Sequence, residues 1–172
     1  MNEKTAETSH SSVEPGRLTH VDPQGRARMV DVGDKPVSQR LASATAICVM
    51  NAVTAQAIRD NSMSKGDVLQ VARLAGITAA KRTDELIPLC HTVPLDSVHL
   101  EVRWLEPTRR QVLTTARSTG RTGVEMEALV AASVAALTVY DMCKSSDRAM
   151  TIEGIQLQSK SGGARGDFQR GA

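Results

Sequence analysis

Four groups of residues carry side chains suited to chemistry, and each also has an ordinary structural explanation. Cys90 and His91 are adjacent between Pro88 and Pro94, which keeps the segment extended or looped. Neighbouring side chains there point to opposite faces, so the pair is poorly placed to chelate one ion or share one proton. No metal site is expected, and His91 reads equally as a ligand contact or a structural anchor. Glu125 and Glu127 open a helical run; Glu125 is accounted for as the partner of Thr122 in a Thr-x-x-Glu capping box, whereas Glu127 points elsewhere and is free to bind something. Asp141 and Lys144, three apart, have the spacing of a solvated ion pair. The otherwise apolar stretch around them also suits a couple with tuned pKa values. Lys65, Lys81, Arg82 and Arg121 stand at element ends, where phosphates are commonly held, and Lys160 and Arg165 flank glycines that lack P-loop spacing.

The elements that must position these groups follow from periodicity. Residues 1–17 are polar and end in Pro15-Gly16, and read as a disordered leader. β-branched and small residues suggest strands over 27–32 and about 40–53, the second also compatible with a helix. Ser64-Lys65-Gly66-Asp67 resembles a capping box before a helix running to about Arg82. Val98, Leu100, Val102 and Trp104 alternate with polar residues, predicting a strand that pairs antiparallel with a second over 111–119. Ala128 to Cys143 forms a helix, 151–158 a last strand, and 161–172 a flexible Gly-rich tail. The expected architecture is a single α+β domain over 18–160, a sandwich with helices on one face of a mostly antiparallel sheet.

Composition bounds the partners. With 172 residues, 41% hydrophobic and 23% charged, the chain has the make-up of a globular domain. Twenty-one Lys and Arg against 19 Asp and Glu give a net charge of +2, too balanced for a protein that coats nucleic acid or anionic membrane. The lone Trp104, Tyr140 and Phe168 offer too few rings for stacked bases. Three widely spaced cysteines indicate neither a disulfide framework nor a zinc knuckle. No secretory signal is apparent at the N-terminus and no later run reaches the apolar length of a membrane span, so a cytoplasmic protein is expected.

Taken together in order, several segments resemble the cyclic pyranopterin monophosphate synthase family of molybdenum cofactor biosynthesis. They are Leu18-Thr19-His20, Met29-Val30-Asp31-Val32, Lys65-Gly66-Asp67-Val68, Ala79-Ala80-Lys81-Arg82-Thr83, Leu86-Ile87-Pro88-Leu89-Cys90-His91, Thr119 to Leu129, Tyr140-Asp141-Met142-Cys143-Lys144 and Lys160-Ser161-Gly162-Gly163. Two departures stand out: Thr92 follows His91 where the family motif has Pro, and Asp84-Glu85 replaces a commonly bulkier residue.

The resemblance implies a ferredoxin-like fold and a lyase that converts 3',8-cyclo-7,8-dihydro-GTP to cyclic pyranopterin monophosphate with release of pyrophosphate. It further implies no required cofactor; the phosphate chemistry leaves room for Mg²⁺, bound mainly through the substrate phosphates. A homohexamer, a trimer of dimers with active sites at the dimer interface, is the implied assembly. Carried onto this chain, Asp141, Lys144 and Lys65 are the catalytic candidates. Leu89, Cys90, His91, Met126, Glu127 and Lys160 are the substrate contacts, with Arg40, Lys81 and Arg121 as added phosphate or purine contacts. Moving protons on a rearranging ring suits a carboxylate with a lysine, and closing a cyclic phosphate needs cations at the leaving oxygens, for which Lys65 and Lys160 are candidates. Glu127 and Asp141, fourteen residues apart on one helix, are separated by about 21 Å, so one pocket is expected to draw on two subunits. A nucleotide- or pterin-binding regulator would keep the cations without needing the Asp141–Lys144 couple, and an oligomerisation module would need neither.

Overall fold

The computed structural model describes residues 21–22, 24–164 and 166–171; the expected leader over 1–17 and the Leu18-Thr19-His20 match lie outside them. The chain divides into two units, Met1–Val30 and Asp31–Ala172. In the first, Val21 and Ala27 form one antiparallel bridge. Asp22 accepts hydrogen bonds from the main chain of Gln24 and Arg26 and from Arg26 Nε, the Arg26 bonds chiefly holding its carboxyl below the ordinary range. The strand expected over 27–32 does not form: of these residues only Ala27 is bridged, to Val21, among the described residues.

The second unit runs β1 (Ser38–Val49), α1 (Ala52–Arg59), α2 (Val68–Ala80), α3 (Thr83–Leu86), β2 (Ser97–Glu106), β3 (Arg109–Gly120), α4 (Glu125–Cys143), β4 (Thr151–Ser161) and β5 (Phe168–Gln169). The sheet is antiparallel throughout, in the order β2-β3-β1-β4-β5. Its first four strands with α2 and α4 give the β-α-β-β-α-β succession of ferredoxin-like folds, so the α+β class is as expected. Period-2 burial explains the layering: Ala42, Ala44, Ala46 and Cys48 of β1 and Val112, Thr114 and Ala116 of β3 are all buried on one face. Against them α4 buries Ala128, Ala132, Ala135 and Ala136. Small side chains on both surfaces let helix and sheet backbones approach closely, and Thr114 Oγ1 donates to the Ala128 carbonyl of α4 at 2.7 Å.

The local signals met mixed outcomes. α2 begins where Asp67 caps Leu69 and Gln70, so the cap is Asp67 itself rather than a box from Ser64. β1 stops at Val49 because Asn51 caps a helix, α1, accepting from Thr54 N at 2.8 Å. The sequence reading, which carried the strand to 53, missed that helix. By length and mean hydropathy α4 would pass as a membrane span, contrary to expectation, but more than half of that stretch is buried within the protein. β4 extends to Ser161 and β5 pairs with it inside the segment expected as a flexible tail. Gly162 closes that end at φ +87°, where a Cβ would stand 1.8 Å from the Gln39 carbonyl oxygen; only glycine fits.

Gly76 shows how tightly α2 and α4 pack. A Cβ there would lie 2.9 Å from the Ala131 carbonyl and 2.5 Å from Leu100 Cδ1. Gly76→Ala is expected to lower the unfolding free energy by about 1–3 kcal/mol despite the roughly 1 kcal/mol of helix propensity that alanine brings, as measured by urea denaturation.

Candidate functional site

α4 carries a polar cluster at each end. At its C-terminal end Asp141 and Lys144 are a turn apart, and Lys65 reaches them from the turn that precedes α2. Lys144 Nζ donates to Asp141 Oδ1 at 2.6 Å and Lys65 Nζ to Oδ2 at 3.1 Å. Lys65 also donates to the Asp141 carbonyl at 2.9 Å, one of the last helix carbonyls, which have no partner within the helix. The two ammonium groups, Lys144 first, hold the Asp141 carboxyl below the usual carboxylate range, and Asp141 raises Lys144 in return. All three side chains are about half exposed. The couple is therefore set toward firmer charge on both partners, because opposite charge rather than burial dominates.

The N-terminal end is different. Val124 is the N-cap of α4 and no side chain caps the helix, so the Thr122–Glu125 box does not form. Glu125 instead pairs with Lys160 of β4 at 3.1 Å, its carboxyl filling the space where a Cβ on Gly123 would lie. Glu127 is 2% exposed; Cys90 Sγ donates to its Oε1 at 3.7 Å, while Oε2 is buried without a hydrogen-bond partner. Burial pushes the Glu127 carboxyl up. Burial, with Glu127 beside it, pushes the Cys90 thiol up to about 11. Leu89, His91 and Met126 are half-buried.

The remaining candidates separate. Arg40, nine-tenths buried, donates through Nε to the Gly120 carbonyl and through Nη2 to that of Arg121, bracing the turn between β3 and α4. The Arg121 side chain is exposed, as is Lys81 at the C-cap of α2. Lys65 and Lys160, expected together on one leaving group, are apart within this chain. Their carboxylate partners, Asp141 and Glu125, are sixteen residues apart on α4, about 24 Å along its axis. Among the described residues no group of three His, Cys, Asp or Glu could hold a metal ion.

A family model described as "MoaC family" matches residues 29–163. The chain is 56% identical over 155 residues to "Cyclic pyranopterin monophosphate synthase 1" of Mycobacterium tuberculosis, covering 90% of this chain and 91% of that one. The chain belongs to the MoaC family. It is 58% identical over 154 residues to "Cyclic pyranopterin monophosphate synthase" of Herpetosiphon aurantiacus, covering 88% and 93%. "Molybdenum cofactor biosynthesis protein 1" of Homo sapiens is 52% identical over 156 residues, covering 90% of this chain and 24% of the human one. Every catalytic and substrate-contact candidate falls within the MoaC match, and within it the two departures noted above meet: Thr92 Oγ1 donates to Asp84 Oδ2 at 2.5 Å. A hydrogen bond thus ties the loop at the point where the family motif has proline. Sequence reasoning named Asp84 only as a departure, without a partner, and discounted Glu125, since the cap signal at Thr122 was locally plausible and its competitor, Lys160, is distant in the chain.

Two outcomes follow for the carboxyls. Asp141, followed by carbon-detected NMR titration, is expected below the usual range; Lys144→Gln moves it up, and Lys65→Gln does so by less. Glu127 has a folded pKa above its unfolded value, so its ionisation costs stability as pH rises past the unfolded pKa, and the cost is complete above the folded one. Glu127→Gln is therefore expected to melt above wild type at pH 8, with the difference shrinking toward pH 4 in calorimetric scans.

Proposed function

We propose that this chain is a cyclic pyranopterin monophosphate synthase, converting 3',8-cyclo-7,8-dihydro-GTP to cyclic pyranopterin monophosphate and pyrophosphate in molybdenum cofactor biosynthesis. The observation that carries the reading is the Asp141 carboxylate gripped by Lys65 and Lys144, in a chain that belongs to the MoaC family. An arriving triphosphate competes for both lysines. As they turn to its oxygens, Asp141 loses the charges that depress its pKa and becomes a stronger base for protons on the rearranging ring. The lysines meanwhile neutralise charge that builds on the pyrophosphate as a sugar hydroxyl attacks the α-phosphorus. No resident cofactor is proposed, and Mg²⁺ enters only on the substrate phosphates.

The working form in this reading is a cytoplasmic homohexamer, a trimer of dimers with active sites at the dimer interface. The separation of roughly 24 Å between the two ends of α4 supports it, since one small substrate spans both clusters only if they come from different subunits. Leu89, Cys90, His91, Met126, Glu127 and Lys160 then face the ring, and Arg40 acts through the turn it braces.

The test supplies purified protein with freshly made cyclo-dihydro-GTP and scores pyrophosphate together with the oxidised fluorescent pterin. Wild type is expected to make both, with Lys65→Ala and Asp141→Asn at least about 100-fold slower while remaining folded by circular dichroism. Substrate binding without either product from the wild type would replace the synthase by a binding regulator.

A further inference from the structure

Glu127 holds one carboxylate oxygen in a hydrogen bond and leaves the other buried with none. A desolvated acceptor without a donor is costly, and the packing of α4 on the sheet does not require an acid here, because the neighbouring buried positions are alanine and valine. Apart from its own backbone N–H and Cys90, the groups that bear on Glu127 electrostatically offer no relief. Glu125, on the same helix, and Asp84, on α3, are both carboxylates, and Lys160 is engaged by Glu125. The side-chain donor that Glu127 has is the Cys90 thiol, and Cys90 is no nucleophile: burial and the surrounding carboxylates keep it protonated at neutral pH.

We propose that Cys90 is a positioning residue, whose thiol holds Glu127 by Oε1 and keeps Oε2 unsatisfied for a donor brought by the substrate, the N–H edge of its purine-derived ring. The inference rests on the synthase reading. A ring amide beside an exocyclic amine offers two donors to an acceptor already stripped of water, whereas a ring presenting a carbonyl at that edge sets oxygen against oxygen and is rejected. A thiol suits the task because it is a weak donor: it fixes the carboxyl without using up its capacity to accept.

The experiment follows the Glu127 carboxyl by infrared titration, assigned with Glu127→Gln, in wild type, Cys90→Ala and Cys90→Ser, alongside kcat and KM. The thiol's hydrogen bond favours the ionised form, so Cys90→Ala is expected to move the Glu127 midpoint up by about half to one pH unit. The acid limb of kcat/KM moves with it, KM rises about three- to tenfold with kcat little changed, and Cys90→Ser returns all three toward wild type. Equal midpoints in the three proteins overturn the proposal, as does a KM change that serine leaves unrescued. The titration needs no turnover, so the two failures separate: an inactive wild type overturns the synthase reading and with it the ring-edge role, whatever the thiol does to the carboxyl.

Discussion

The seating of α4 on the sheet is the constraint on which the rest of this structure depends. Four fully buried alanines on the helix, 128, 132, 135 and 136, meet alanines 42, 44, 46 and 116 of β1 and β3, and surfaces this smooth hold backbones close. Both polar clusters belong to this helix. Its first turn carries Glu125 and Glu127 and its last turn Asp141, so the depth and rotation of α4 decide where every carboxylate of the candidate site stands. Gly76 extends the constraint to α2, whose N-terminal approach brings Lys65 to the far end of the same helix.

Two acids on one helix are driven in opposite directions by their surroundings. Asp141 sits half exposed between two ammonium groups and is stabilised as a carboxylate; Glu127 is enclosed by apolar packing, a thiol and other carboxylates, and its charged form is disfavoured. The first arrangement answers to an incoming polyanion, which competes for its cations. The second answers to a neutral donor, which can satisfy a buried oxygen. A substrate with a phosphate tail and a ring bearing N–H groups has one of each.

Much of the fold was legible because its signals are local. Alternation from Val98 to Trp104 marked β2, and the β3 partner followed after a short turn; the Ala-rich run marked α4, and the apolar stripe marked α2. Where local signals competed, the reading slipped. Thr122 and Glu125 have the spacing of a cap, yet Lys160 draws the glutamate away, and Asn51 capped a helix inside a stretch whose β-branched residues read as strand. The tail, rich in glycine, carried no pattern announcing that Phe168 and Gln169 would pair with β4.

By itself the sequence determined the class of fold, through the periods of its apolar residues, and the family, through an ordered set of short motifs. It also supplied the residue types that the chemistry requires. Only the tertiary structure decided which of them meet. Lys65 and Asp141 are 76 positions apart, Glu125 and Lys160 thirty-five, and Cys90 and Glu127 thirty-seven, distances over which no helical or strand period speaks. The same holds for the direction of each pKa shift, because it is set by what surrounds a carboxyl in space: cations and water for Asp141, packed apolar atoms for Glu127.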